Sequence, residues 1–369
     1  MTTPRRLAIA GAAVFILTAA ACEEPIFARR TLWERVADYP SDKVVMVELA
    51  EGSDGKVYAA GWSIERDYGE GVIYVFDGRG LEESFRGGYS FKDIGFFDGT
   101  VWAVGSKWEE AKFRYRPYVV RLRGSQWEEV VVPEEVEDDS FAAFFPTATG
   151  TCWFAGYDNF YTYSGGNWSR VFESHAFFNL AVSPSNQAFY YHFDFKNEKA
   201  CIFTSSDGGG SWFCEEINLG TGVYRVTRDF PGVELATGGD KLYLSMLLLP
   251  HTESEKSKTG YYHAIISREP APAGEGVYEI TFLARDGEAH VDWISCMGFR
   301  SATEGYACGS ETAIAYEGGT WYPEIVEPIG AWRPVFYDIA VGVSDYWAIV
   351  VERMYNPNSR VFWLYRAQR

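Results

Sequence analysis

A short pattern recurs seven times along this chain: a polar turn followed by a strand-like segment with an aromatic residue at its second or third position. The repeated aromatic residues are Tyr58, Trp102, Trp153, Phe189, Tyr243, Tyr306 and Trp347. They stand 44, 51, 36, 54, 63 and 41 residues apart. A period of this size is typical of units that each form one small sheet and bury their faces against their neighbours.

Further strand-like segments surround each repeat. An apolar segment precedes the turn, at residues 44–49, 91–97, 141–145, 177–182, 224–226, 293–299 and 335–341. A tryptophan after a glycine turn opens a fourth segment at Trp127, Trp168, Trp212 and Trp321. Short aromatic-rich segments between turns, with no long amphipathic helical pattern, predict an all-β fold. Seven such units predict a seven-bladed β-propeller.

The seventh repeat lacks its fourth segment, and a matching segment stands near the start of the chain. Residues 31–36, T-L-W-E-R-V, resemble the fourth segments that begin at Trp127 and Trp168. We expect this N-terminal strand to complete the last blade, which would close the ring and remove an open sheet edge. One propeller domain is therefore predicted over residues 31–369.

The stretch between Cys201 and Cys214 contains a hairpin motif. Its fixed positions are Ser205, Asp207, Gly209, Ser211 and Trp212. They resemble the Asp-box of sialidase-like (BNR-type) β-propellers. The resemblance implies a structural role, in which the aspartate carboxylate folds back onto backbone N–H groups, the glycines allow a tight turn, and the tryptophan covers the hairpin.

The catalytic set of the sialidases is not matched. Their Phe/Tyr-Arg-Ile/Leu-Pro motif is absent, and the nearest fragments are Tyr115-Arg116-Pro117 and Trp332-Arg333-Pro334. The sequence therefore predicts a non-catalytic member. A glycoside hydrolase of sialidase-like fold that uses another pair of carboxylates stays open, since the separation of two acids cannot be read from a sequence.

The first residues predict export. Arg5 and Arg6 precede an apolar run, so residues 1–21 are interpreted as a signal peptide. The end of this run, residues 17–22, resembles a bacterial lipoprotein signal with Cys22 as the lipidated residue, although Ala19 departs from the usual leucine. Residues 22–30 would then be a tether holding the chain on the periplasmic or cell-surface side of the envelope. The alternative is cleavage after Ala21 and a soluble secreted protein.

Charge and cysteine content limit the classes of partner, cofactor and disulfide that the chain is expected to have. The net charge is −18, or −20 without Arg5 and Arg6, which disfavours nucleic acid because phosphates require clustered cations. No cysteine or histidine spacing predicts a metal site, and no cofactor is expected. In an oxidising compartment, disulfides Cys201–Cys214 and Cys296–Cys308 are predicted, each pair flanking a turn, while Cys152 has no evident partner.

Ligands of propellers usually meet the face formed by the loops between second and third strands and by the connections between blades; we call this the loop face. Candidate binding residues there are Trp108, Arg114, Arg116, Asp194, Arg333 and Tyr355. Aromatic and arginine side chains together suit protein or sugar surfaces. We predict a monomeric envelope propeller that binds a protein or glycan without catalysis. The alternatives are the glycoside hydrolase and an assembly factor for a membrane complex, a role of some Asp-box propeller lipoproteins.

Overall fold

The computed structural model describes residues 33–40, 43–65, 69–136, 140–173, 180–194, 199–217, 224–226, 233–250, 262–285, 294–310, 312–324, 334–353 and 360–368. Strands dominate this part of the chain, with one short 3-10 helix at Glu110–Lys112. The strands form seven antiparallel sheets whose innermost strands contact one another in cyclic order. The predicted seven-bladed β-propeller is confirmed. Nowhere in the described residues is a helix long and apolar enough to cross a membrane.

The first strand, β1 (Trp33–Asp38), belongs to the last blade. Blades one to four then follow in chain order, each from its innermost to its outermost strand. Blade one is β2 (Val44–Glu51), β3 (Val57–Ser63), β4 (Glu70–Phe76) and β5 (Leu81–Arg86); blade two is β6 (Ser90–Phe97), β7 (Thr100–Glu109), β8 (Arg114–Arg123) and β9 (Gln126–Glu129). Blade three is β10 (Phe141–Pro146), β11 (Thr151–Gly156), β12 (Asn159–Ser164) and β13 (Asn167–Glu173); blade four is β14 (Leu180–Val182), β15 (Ala188–Asp194), β16 (Lys199–Ser205) and β17 (Phe213–Glu216).

Blade five departs from the regular plan. Its strands are β18 (Tyr224–Val226), β19 (Glu234–Gly238), β20 (Lys241–Pro250), β21 (Tyr262–Arg268) and β22 (Tyr278–Arg285). Both β18 and β19 pair with β20, the first at its C-terminal end and the second at its N-terminal end. The innermost position is therefore shared by two short strands, whereas the sequence predicted only the first of them.

Blades six and seven close the ring. Blade six is β23 (Ile294–Ser301), β24 (Glu304–Gly309), β25 (Ala313–Glu317) and β26 (Thr320–Glu324); blade seven is β27 (Pro334–Val341), β28 (Asp345–Arg353), β29 (Arg360–Gln368) and β1. β1 pairs antiparallel with β29, with Trp33 opposite Ala367. The predicted completion of the last blade by the N-terminal strand is confirmed.

The apolar core is divided into seven clusters, one between each pair of neighbouring blades. Each cluster contains one of the repeated second-strand aromatic residues, and each of these is at most 6% exposed. The outer-strand tryptophans pack against the preceding blade: Trp33 lies edge-on to Tyr306 at 5.4 Å, and Trp212 to Trp153 at 6.1 Å between ring centroids. The sevenfold aromatic pattern is thus the packing between blades, since buried aromatic rings contribute the largest apolar areas.

Candidate functional site

A β-bulge recurs at the same place in five innermost strands. The register shifts by one residue in β2, β6, β10, β23 and β27. The residues that follow the five shifts are Glu48, Asp93, Ala143, Cys296 and Asp338. A bulge re-aims the side chains beside it. All five of these residues line the cavity at the centre of the ring.

That cavity has a volume of about 410 Å³ and is lined by the innermost strands of all seven blades. We call it the channel. Four carboxylic acids from four blades line it: Glu48, Asp93, Glu234 and Asp338. Among the described lining residues, the single cationic side chain is that of Lys92. The centre of the ring is therefore acidic.

Two channel carboxylates also join neighbouring blades. Asp93 Oδ2 accepts a hydrogen bond from the backbone N–H of Phe144 at 2.7 Å, linking blade two to blade three. Asp338 Oδ2 accepts one from the N–H of Leu49 at 2.8 Å, linking blade seven to blade one. The two contacts are equivalent in the repeat. The acids at these positions therefore hold the ring together as well as lining its centre.

Burial in the ring disfavours the ionised form of every channel acid. Burial, with the negative charge of Asp338 nearby, raises the pKa of Glu234 to about 8. Burial likewise raises the pKa of Asp93 and Asp338, and that of Glu48 further, because its neighbour Asp338 adds like charge. Burial lowers the pKa of Lys92, whose ammonium lies 4.6 Å from the centre of the Trp62 ring. Near neutral pH the channel acids are therefore partly protonated, and a bound cation would favour their ionised forms.

Sequence analysis missed the channel acids, although a signal for them exists. Each lies in an innermost strand and is followed by isoleucine or leucine, in the pairs Glu48-Leu49, Asp93-Ile94, Glu234-Leu235 and Asp338-Ile339. An acid in an apolar strand is unusual, because burying a charge is costly unless something compensates for it. Alignment of the repeats would have placed Glu48, Asp93 and Asp338 at one equivalent position.

Three of the six predicted binding residues lie together. Trp108, Arg114 and Arg116 are on the hairpin of β7 and β8, on the loop face. Arg114 lies 3.5 Å from Glu109, and Arg116 lies 2.6 Å from Glu129, so both guanidinium groups are in ion pairs. Asp194 ends β15 in blade four, on a different blade. Arg333 and Tyr355 lie outside the described residues.

The hairpin around Asp207 is held by its own side chains. Asp207 Oδ1 accepts hydrogen bonds from the N–H of Ser211 and the hydroxyl of Ser205, both at 2.9 Å, and Oδ2 accepts one from the Ser211 hydroxyl at 2.6 Å. The Ser205 oxygen in turn accepts the N–H of Gly209 at 2.9 Å. The hydrogen bonds from Ser211, followed by that from Ser205, lower the pKa of Asp207 to about 2.

The same hairpin packs on blade three. Gly209 has a φ of +93°, and a Cβ at this position would lie 2.7 Å from Cβ of Val171, so glycine is required twice over. The Trp212 ring lies 4.8 Å from that of Phe172. The carboxylate therefore closes a turn whose far side is a contact between blades.

None of the five described cysteines forms a disulfide in this structure. Cys201 lies opposite Glu216 and Cys214 opposite Phe203, so these two cysteines are offset by two positions. Cys296 and Cys308 lie directly opposite each other and are buried, and the Cys296 thiol points to the carbonyl oxygen of Cys308 at 3.8 Å. The register thus favours the second predicted pairing over the first.

A buried ion pair between blades four and five was not foreseen. The Arg268 side chain has no exposed surface and donates to Glu215 at 2.7 and 2.8 Å; the side chain of Glu215 is 3% exposed. The Tyr278 hydroxyl donates to the same carboxylate at 2.6 Å. Burial alone would raise the pKa of Glu215, but these donors outweigh it and hold the pKa below its ordinary value.

Metal-binding geometry is not found in the described residues, where no group of three or more histidine, cysteine, aspartate or glutamate side chains could hold an ion. The four channel acids therefore do not form such a group.

Comparison with known proteins gives the fold alone. No protein-family model and no curated protein matches the chain. Among solved structures, YCF48 bound to D1 peptide is similar, with a TM-score of 0.55 and 14% identity over 91% of this chain and 97% of that one. The β-propeller domain of the Trilobed protease from Pyrococcus furiosus matches with a TM-score of 0.52 and 10% identity, over 89% of this chain and 96% of that one.

A third similar structure is the extracellular domain of the hybrid two-component system BT4673 from B. thetaiotaomicron. Its TM-score is 0.56 and its identity 9%, over 90% of this chain but 39% of that chain. At such identities the shared property is the propeller architecture, which hosts many unrelated functions.

Proposed function

We propose that this chain is a non-catalytic propeller, anchored in the bacterial envelope through Cys22, that binds a protein partner on its loop face. The observation that carries the proposal is the acidic channel, where Glu48, Asp93, Glu234 and Asp338 meet in one cavity. A partner would place a basic segment over and into this cavity.

The chemistry of the channel supports a cationic ligand. Burial and mutual repulsion favour the protonated forms of the channel acids, and a lysine or arginine side chain would favour their ionised forms and pair with them through charge-assisted hydrogen bonds. A volume of about 410 Å³ suits side chains or a short peptide rather than a folded domain. The structure of YCF48 with D1 peptide shows a propeller of similar fold holding a peptide.

Calorimetric titration tests the proposal. The probe is a short peptide with two arginines, and its matched control carries citrulline, which keeps the shape and removes the charge. We expect the arginine peptide to bind, and Glu48→Gln with Asp93→Asn to weaken it about tenfold or more, the cost of about 1.4 kcal/mol. The exposed Glu134→Gln should leave binding unchanged. Equal binding of the citrulline peptide would overturn the proposed ligand class.

A glycoside hydrolase is the second candidate. It is favoured by two or more acids with raised pKa values in one cavity, the environment in which an enzyme separates a general acid from a base. Purified protein should nevertheless leave a panel of fluorogenic glycosides, a sialoside included, unhydrolysed. Hydrolysis of a glycoside by the wild-type protein that is lost in Glu48→Gln and Asp93→Asn would show that the protein is a glycoside hydrolase rather than a binding protein.

Anchoring and assembly roles need separate measurements. Metabolic labelling with a palmitate analogue should label the wild-type chain and not the Cys22→Ser variant. Equal labelling of both would contradict a lipid anchor at Cys22. An assembly factor would also bind a protein partner, but its deletion would deplete a membrane complex. Normal levels of membrane complexes in the deletion strain would leave binding without an assembly role.

A further inference from the structure

A two-stranded arm projects from blade two on the loop face. The pairing of β6 with β7 ends at Ser90 opposite Ser106, and that of β9 with β8 ends at Glu129 opposite Val120. β7 and β8 continue to pair beyond these points, as far as Glu109 opposite Arg114. Residues 107–116 therefore form a hairpin that extends past the inner and outer strands of its own blade; we call this the arm.

The arm has two chemically distinct faces, because side chains alternate along paired strands. One face carries the charged pairs Lys107 opposite Arg116 and Glu109 opposite Arg114. The other carries Trp108 opposite Tyr115. The Tyr115 ring is 5.0 Å from that of Trp108 and 4.6 Å from that of Tyr89, so three aromatic rings form a row. Trp108 is 44% exposed.

The tip of the arm adds a further apolar group. Phe113 follows the 3-10 turn at Glu110–Lys112 and has left-handed backbone angles, φ 50° and ψ 44°. Its N–H donates to the carbonyl oxygen of Glu110 at 3.3 Å, which holds this conformation. The residue is 80% exposed. A bulky side chain in a left-handed conformation is uncommon, and here it places a phenyl ring in solvent.

The charged residues of the arm determine which class of ligand it can bind. Its four cations are all in ion pairs: Lys107 and Arg116 with Glu129 at 2.9 and 2.6 Å, Lys112 with Glu109 and Glu134 at 3.3 and 3.2 Å, and Arg114 with Glu109 at 3.5 Å. A nucleic acid, an acidic peptide or an anionic lipid surface would need cations that these glutamates already hold. In a chain of net charge −18, the arm is a locally balanced surface. An uncharged, apolar ligand suits such a surface.

We propose that the arm is a docking surface for an uncharged apolar segment of a partner protein, which packs on the aromatic row of Tyr89, Tyr115 and Trp108 and against Phe113. This inference takes from the proposed function only that the partner is a protein. Exposed aromatic residues are the side chains that most often dominate the binding energy of protein interfaces. Grooves lined by aromatic rings also dock extended proline-rich segments. The internal ion pairs keep the row in place without contributing charge to the contact.

Selection from a phage-displayed random peptide library on the immobilised full-length chain tests the inference. Selected peptides should be uncharged and rich in aliphatic, aromatic or proline residues. Their Kd should rise at least about tenfold in Trp108→Ser and in Phe113→Ser, which remove about 1.4 kcal/mol or more of binding free energy. Val131→Ser, an 83% exposed aliphatic site outside the arm, is the matched control and should not change Kd. Because all three sites are exposed, unchanged melting temperatures would show that the fold is intact.

Several other results would contradict the proposed docking surface on the arm. Selected peptides that bind both arm variants with wild-type affinity would overturn it, and so would peptides dominated by acidic or basic residues. Glycan-array binding that is lost in Trp108→Ser would replace the protein ligand by a sugar. The channel variants Glu48→Gln and Asp93→Asn separate the two proposals. If the apolar peptides lose affinity for these channel variants and not for the arm variants, the proposed docking surface on the arm is wrong. If the arginine peptide does not bind the protein but the apolar peptides do, only the proposed channel ligand is wrong.

Discussion

The carboxylate of Asp338 in blade seven accepts the backbone N–H of Leu49 in blade one at 2.8 Å. This contact joins the last blade to the first, and Asp93 repeats it with Phe144 between blades two and three. Asp338 also lines the channel beside Glu48. The contact between blades seven and one and the charge of the channel therefore depend on the same side chain, and protonation should affect both.

Stability should fall as pH rises. The channel acids have raised pKa values, about 8 for Glu234, against about 4 in an unfolded chain. Between pH 4 and 8 the native state binds more protons than the unfolded state, so the free energy of unfolding decreases with pH across that window. We expect Tm at pH 8.5 to lie at least about 2 °C below Tm at pH 6. Differential scanning fluorimetry measures this.

The matched variants for the pH prediction are Glu234→Gln and Glu134→Gln. Removing the channel acid should flatten the dependence of Tm on pH, because one of the groups that gains protons on folding is lost. Removing the exposed acid, 89% solvent-accessible, should leave the slope unchanged. A slope of the opposite sign in wild type would contradict the assignment of raised pKa values.

Asp207→Ala should lower the stability of the propeller. The substitution removes the acceptor of three hydrogen bonds from Ser211 and Ser205 that close the hairpin on blade three. Because the pKa of Asp207 is held at about 2, its contribution is present above pH 4 and is lost as pH falls through 2. Urea unfolding at pH 7 and pH 3 should show a smaller difference from wild type at the lower pH. Exposed Glu173→Gln is the control, and an unchanged midpoint for Asp207→Ala would show that the hairpin does not need the carboxylate.

Glu215→Gln should be strongly destabilising. The substitution leaves the fully buried Arg268 guanidinium without its anion, and breaking one partner of a buried pair typically costs about 3–5 kcal/mol. The midpoint of chemical denaturation measures the loss. Glu216→Gln, on the exposed side of the same strand, should cost far less. Similar midpoints for the two variants would mean that the buried pair does not stabilise the contact between blades four and five.

A disulfide between Cys296 and Cys308 should form under oxidising conditions, and one between Cys201 and Cys214 should form less readily. The first two residues lie opposite each other in the strand register, whereas the second two are offset. Non-reducing peptide mapping after incubation with oxidised glutathione identifies the bridges. Closing so short a loop should contribute no more than about 3 kcal/mol. Alkylation of both Cys296 and Cys308 without prior reduction would contradict the prediction.

The sequence predicted the blades well because their packing is local and repeated. The aromatic residue of the second strand occupies the same position in every blade, and so does the tryptophan of the fourth strand where it is present. The contacts of Trp102 and Trp153 therefore predict those of the second-strand aromatic residues in the other blades. β19 was missed because the innermost position of blade five is interrupted, and a split strand lacks a strand-length apolar run. The channel was missed because Glu48, Glu234 and Asp338 come from distant parts of the chain, and only the closed ring brings them together.

The pairing of Trp33 with Ala367 also has a kinetic consequence. During synthesis β1 is made early and β29 late, so the outer edge of blade seven can be covered only after nearly the whole described chain exists. The six other blades involve neighbouring segments and can form as they emerge, while the closing contact must overcome the loop entropy of the entire ring. Until then, β1 is an unpaired strand and β29 an open edge. The slowest folding step should therefore be closure, and its rate should respond to substitutions at Trp33 more than to those at Trp127.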